Sequence, residues 1–195
     1  MSALAERALD SLRDYRYEDS LVIISYNETY GDTSIFNARE QYYEINPISP
    51  TPRLVVDGRL AWIGVADGYY DTYQPFIDSA LAIGSTFNLT MTTVANAGQG
   101  SVDLKIVDTD SLLDDSLIAV IVICQDGIPG VNKQYNYVAK FMFTLPVTVT
   151  YADTVTTTVT FTHCLPVNSL RAVAFIQGYH SRRVLQAIAR SFNPF

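Results

Sequence analysis

The sequence predicts an α/β layer arrangement over residues 1–84 followed by an all-β sandwich over residues 85–195, and three observations carry that prediction. Before residue 84, apolar residues recur at helical spacing or in continuous runs of strand length. From Thr86 onward they alternate with polar residues, as in Phe87, Leu89, Met91 and in Val102, Leu104, Ile106. Gly84 breaks the last helical pattern and no long linker follows, so the boundary falls near residues 83–86 and the two parts are expected to touch.

In residues 3–15, Leu4, Ala5, Ala8, Leu9, Leu12 and Tyr15 share one face, with Glu6, Arg7, Asp10, Arg13 and Asp14 opposite, which predicts a short surface helix. Residues 21–26 (LVIISY) are a continuous apolar run, the pattern of a parallel strand covered on both faces. Asp32, Thr33 and Ser34 supply N-cap chemistry for a helix over 35–43, and Pro47 prevents its continuation. Pro50 and Pro52 exclude helix and lead into a short buried strand, 54–56, which ends at an Asp57-Gly58 hairpin turn with 59–65 as its second arm. A third helix spans 70–83, with Tyr73, Phe76, Ile77, Ala80 and Leu81 on one face.

The second half contains strand patterns at 87–91, 101–107, 117–124, 137–143, 147–151, 154–161 and 170–176, separated by turn residues. Seven strands at that spacing predict an immunoglobulin-like sandwich. Residues 182–192 are weakly amphipathic and read as a short helix or a loose end.

Composition excludes several functions. With 48% hydrophobic and 17% charged residues the chain folds, and a net charge of −7 argues against nucleic acid and against anionic membrane surfaces. No apolar run approaches the roughly 20 residues that span a bilayer. The first ten residues carry charges where a secretory signal has its apolar core, so no signal peptide is expected in the chain as given.

Candidate chemistry is sparse. Cys124 and Cys164 form neither a CxxC pair nor a zinc site; the open readings are two separate buried thiols, a possible disulfide between strands or a reactive thiol. His163 precedes Cys164 on a strand, so the two point to opposite faces, and His180 reads as a solvated loop residue. Asp108, Asp110, Asp114 and Asp115 form an acidic loop, a weak calcium candidate without the glycine and terminal glutamate of an EF-hand. No motif for a cofactor is present. Tyr42, Tyr43, Tyr69, Tyr70 and Tyr73 flank the proline segment and suit either packing or a recognition surface.

Residues 21–26, 39–43 (REQYY), 51–58 (TPRLVVDG) and the helix after them resemble, in order, the later part of a thioredoxin-like fold. The whole chain, including 170–177 (LRAVAFIQ) and 183–187 (RVLQA), is similar to the outer-membrane-protein-28-related family of exported bacterial proteins, which joins such a domain to an immunoglobulin-like sandwich. The resemblance implies a periplasmic, surface or secreted location. The chain departs from the pattern in one respect: the strand leading to Cys-x-x-Cys and both redox cysteines are missing. The resemblance then implies a non-catalytic exported or cell-surface-associated interaction module with a protein or peptide partner, in which Thr51 and Pro52 form a structural turn or a peptide-binding remnant. The alternative is a fragment of a thiol-disulfide oxidoreductase whose Cys-x-x-Cys lies upstream. Loss of the strand is expected to leave unpaired backbone beside 21–26, an edge that closes on the Leu54 strand or recruits another chain into an oligomer.

Overall fold

The computed structural model describes residues 3–109, 116–130 and 133–194. It is mostly β-sheet with three short helices: α1 (Ala3–Leu12), α2 (Thr33–Tyr42), β1 (Arg53–Val56), β2 (Arg59–Ile63) and α3 (Tyr69–Leu81) come first. The strands β3 (Phe87–Ala95), β4 (Gln99–Asp108), β5 (Leu117–Gln125), β6 (Ile128–Pro129), β7 (Gln134–Tyr135), β8 (Val138–Val147), β9 (Thr154–Thr162), β10 (Leu170–Gly178), β11 (Val184–Ser191) and β12 (Asn193–Pro194) follow.

Strand alternation builds the core. One four-stranded sheet has the order β11-β10-β5-β8 and another β12-β3-β4-β9. Ala119, Ile121 and Ile123 of β5 and Ala172, Ala174 and Ile176 of β10 meet Met91, Leu104, Ile106 and Phe161 of the other sheet in one apolar cluster. The intervening residues, Ile118, Val120, Val122 and Cys124, turn the other way and are buried with Val173 and Phe175 against Ile35 of α2 and Val22, Ile24 and Tyr26. Hence β5 is a continuous apolar run: its sheet is the middle layer of the molecule, and water reaches neither face. The threonine-rich β9 lies at the edge of its sheet, and Thr154, Thr156, Thr158, Thr160 and Thr162 are exposed.

A further cluster joins Ala5, Leu9 and Leu12 of α1, Tyr73 and Ile77 of α3, Leu54 of β1 and Ile23. The predicted faces hold for these residues, whereas Leu4 and Tyr15 are exposed. Glu6, expected on the polar face of α1, is buried and paired with Lys133. At α2 the cap is Asp32, whose carboxylate accepts from the N–H groups of Ser34 at 2.8 Å and Ile35 at 3.3 Å. The hydroxyl and N–H of Ser34, then the Ile35 N–H, hold the Asp32 carboxyl below its ordinary range.

Three expectations are corrected. Residues 21–26 do not form a strand of a parallel sheet. They run extended and make one parallel bridge, Ser25 to Val138, in which Ser25 N–H donates to Tyr137 O at 2.8 Å and Ala139 N–H to Ser25 O at 3.0 Å. The run is covered on both faces as its composition requires, but it leans on β8, the edge strand of its sheet, and among the described residues no strand pairs with its other side. Residues 147–151 do not form a separate strand: β8 continues to Val147, and Ala152 takes a positive φ in the turn before β9. Residues 182–192, expected as a short helix or loose end, hold β11, which pairs antiparallel with β10 from Arg171–Ser191 to Gln177–Val184.

Candidate functional site

β1 and β2 form the hairpin that the Asp57-Gly58 pair requires, with φ of 45° and 80° at those residues. Two left-handed residues in succession match the right-handed twist of a hairpin. The tip is docked: Val184 N–H donates to Asp57 O at 3.0 Å, and a Cβ at Gly58 would overlap the Arg182 carbonyl. At the other end the Thr51–Pro52 peptide bond is cis, Pro52 is buried, Thr51 is exposed, and Pro52 O accepts from Gly64 N–H at 2.8 Å. The Arg53 guanidinium pairs with Glu40 of α2 and donates to Pro47 O at 3.0 Å, fixing the loop before the proline onto the helix.

Between the 21–26 segment and β1 lies a cavity of about 450 Å³. Val173, Phe175, Val184 and Ala187 of the middle sheet line one side, and Leu9, Tyr73 and Ile77 of the helical layer line the other. Its two walls are strand edges. β1 is paired only with β2. Ser25 uses its N–H and C=O on β8, so the alternation of extended backbone turns the N–H groups of Ile24 and Tyr26 the opposite way, and neither has a partner among the described residues. The cavity is therefore a slot between two strand edges, with largely apolar layers above and below and unpaired backbone beside it. Thr51 and Pro52 line it, which brings the sequence-predicted candidates to its rim.

Arg39 of α2 lines the same slot and is 5% exposed. Its guanidinium carbon lies 4.5 Å from the Tyr43 ring centroid, 4.9 Å from Tyr42, 5.6 Å from Phe175 and 5.7 Å from Tyr26. Burial pushes the Tyr26 phenol well up, with the Arg39 charge opposing that shift. Sequence reasoning did not single out Arg39. The available signal was Arg39 with Tyr42 and Tyr43 three and four positions on, the helix spacing that stacks a cation on two rings.

The other candidates stay apart. Cys124 and Cys164 are both free, which corrects the possible disulfide. Cys124 faces α2 from the middle sheet, away from the second sheet, and Cys164 follows β9 of that second sheet and is exposed. Burial, reinforced by the nearby Asp126 carboxylate, pushes the Cys124 thiol far above its usual range. A thiol reagent is expected to label Cys164 in the native protein at once and Cys124 only after denaturant is added; fast native labelling of both would contradict this packing. His163 Nδ1 lies 3.1 Å from Leu165 O within its own turn, and its ring contacts Phe161. Asp108 is buried and its carbonyl accepts from Ala152 N–H at 3.1 Å; Asp110, Asp114 and Asp115 lie outside the described residues. Among the described residues no group of three or more metal-ligating side chains occurs, and no helix is long and apolar enough to cross a membrane.

No protein-family model and no curated protein sequence matches the chain. Solved structures do. HBP35 of Porphyromonas gingivalis is similar with a TM-score of 0.67 and 9% identity, over 82% of this chain and 57% of that one. Protein AGR_C_4864 from Agrobacterium tumefaciens is similar with a TM-score of 0.64 and 15% identity, over 98% of this chain and 88% of that one. A domain of the outer membrane lipoprotein Omp28 from P. gingivalis has a TM-score of 0.40 at 9% identity, over 56% of this chain and 90% of that one, too loose to carry an argument. The first two likenesses speak for a shared fold alone. The chain spans little more than half the length of HBP35.

Proposed function

We propose that the chain is a non-catalytic interaction module that captures an extended, apolar peptide strand in the slot between residues 21–26 and β1. One observation carries this reading: two strand edges with unpaired backbone flank a cavity whose other sides are mostly apolar, with Arg39 among them. An extended peptide supplies what such a site lacks, main-chain partners on both sides and alternating side chains for the layers above and below, which is recognition by strand addition. In this reading residues 1–84 are a thioredoxin-like layer, residues 85–195 an immunoglobulin-like sandwich that forms the roof, and Thr51 and Pro52 the entrance. Neither thiol lines the slot: Cys124 is sealed in the middle layer, and Cys164 follows β9 of the second sheet. An exported, surface-associated location accords with the family resemblance.

The test is calorimetric titration with a capped heptapeptide of alternating valine and threonine, against a twin N-methylated at alternate backbone positions. The plain peptide is expected to bind and the twin to bind about tenfold more weakly or worse, since each lost main-chain hydrogen bond removes about 1 kcal/mol. Equal binding of the two, or binding of neither, overturns strand addition. Insulin reduction by dithiothreitol should proceed no faster with the protein than without it.

A further inference from the structure

We infer that the strand captured in the slot carries a carboxylate, which Arg39 receives. The inference rests on the slot being a peptide site and goes beyond it in naming the chemistry that selects the peptide.

Arg39 is a buried cation without an anion. Among the described residues no carboxylate lies within ion-pair distance of it: Glu40, its neighbour on α2, is taken by Arg53, and the remaining ion pairs lie elsewhere. Its polar contacts are the Tyr43 hydroxyl and, at 3.4 Å, Gln177 Oε1, both neutral, and its Nε has no partner. The four surrounding rings replace part of the lost hydration, and the Tyr43 hydroxyl accepts from one terminal nitrogen, but none of them brings a negative charge. A buried charge left in that condition is costly unless an ion completes it. The group lines a cavity of about 450 Å³, large enough for an occupant to bring that ion.

The geometry also positions the guanidinium. Arg53 with Glu40 and Gln177 with Arg182 O, at 2.5 Å, hold the neighbouring polar groups in pairs of their own. The unpartnered Nε and the planar fork of donors favour a carboxylate over a neutral amide, because a carboxylate accepts two parallel bonds from a guanidinium. An extended peptide presents such a group in two ways, as an internal glutamate pointing to the roof or as its own C-terminal carboxylate.

The experiment uses the full chain and three versions of the Val/Thr heptapeptide: doubly capped with a central glutamate, doubly capped with glutamine in its place, and the glutamine peptide with a free C-terminal acid. Wild-type protein is expected to bind at least one of the acidic peptides about tenfold or more tightly than the capped glutamine peptide, the discrimination typical of a charge-assisted hydrogen bond. Which acidic peptide wins identifies the source of the carboxylate. Arg39→Gln is expected to lose the preference, so that the acidic and glutamine peptides bind it equally; a preference retained in this variant overturns the role of Arg39. Should Arg39→Gln fail to fold, Arg39→Lys keeps the charge and is expected to retain a weaker preference for the same acid. Equal binding of all three peptides to wild type overturns the carboxylate inference and leaves the slot intact, whereas binding of none overturns both.

Discussion

Ile121→Ala and Phe175→Ala are each expected to destabilise the fold severely, by about 2–5 and 3–5 kcal/mol, the usual costs of emptying buried aliphatic and aromatic sites. For a chain of this size each kcal/mol moves the melting temperature by about 2–4 °C, so Phe175→Ala should melt about 6–20 °C lower. The comparison matters because the two side chains leave the middle sheet in opposite directions. Ile121 is fully buried between the two sheets, and Phe175, 4% exposed, faces α2 and the slot. Comparable losses by thermal denaturation mean that both faces of the sheet are sealed. A loss at Ile121 with a Phe175 variant as stable as wild type would mean that the helical layer does not cover that face in solution.

Gly58→Ala is the second large effect. The residue holds φ at 80°, where an L side chain is strained, and an added Cβ would overlap the carbonyl oxygen of Arg182. That oxygen cannot move freely, because Gln177 Nε2 donates to it at 2.5 Å and Arg182 N–H is bonded to Gly178 O at 2.9 Å. Strain and overlap together should cost about 3 kcal/mol or more, or about 6–12 °C in melting temperature. Gly84→Ala, whose Cβ would meet nothing within 4 Å, serves as the control and should shift melting by no more than about 2 °C. A Gly58 variant as stable as the control would mean that the hairpin tip is not docked against the β10–β11 turn.

The docked hairpin also shows which parts of the fold the sequence discloses. Proline and glycine punctuation announces β1, β2 and their turn almost to the residue, because those constraints are local and act through φ and the missing N–H. The alternation of β3, β4 and β9 and the caps of α2 are equally local. Residues 21–26 mislead because a continuous apolar run reports only that both faces are covered. Whether a ladder forms depends on which strands stand beside it, and here β8 takes one side and the slot the other. The final strand is hidden for a related reason: β11 lies at a sheet edge, its residues half-buried with Val184, Ala187 and Ala189 facing one cluster and Leu185 and Ile188 another, so its period is weak. Of the site, Thr51 and Pro52 are legible from the backbone they require. Arg39 is not, since its missing counter-ion is a property of what surrounds it in space: Phe175 and Gln177 come from β10, more than 130 positions away.

Strand capture is tested most directly by amide hydrogen exchange at Ile24 and Tyr26 with and without the glutamate heptapeptide. Their N–H groups face the slot and lack partners among the described residues, whereas Ser25 is bonded to Tyr137 O. In the free chain, Ile24 and Tyr26 should exchange faster than Ser25, and saturating peptide should slow them to the Ser25 rate. Unchanged exchange at Ile24 and Tyr26 in a peptide-saturated sample would show that the ligand binds elsewhere and that the slot does not take a strand.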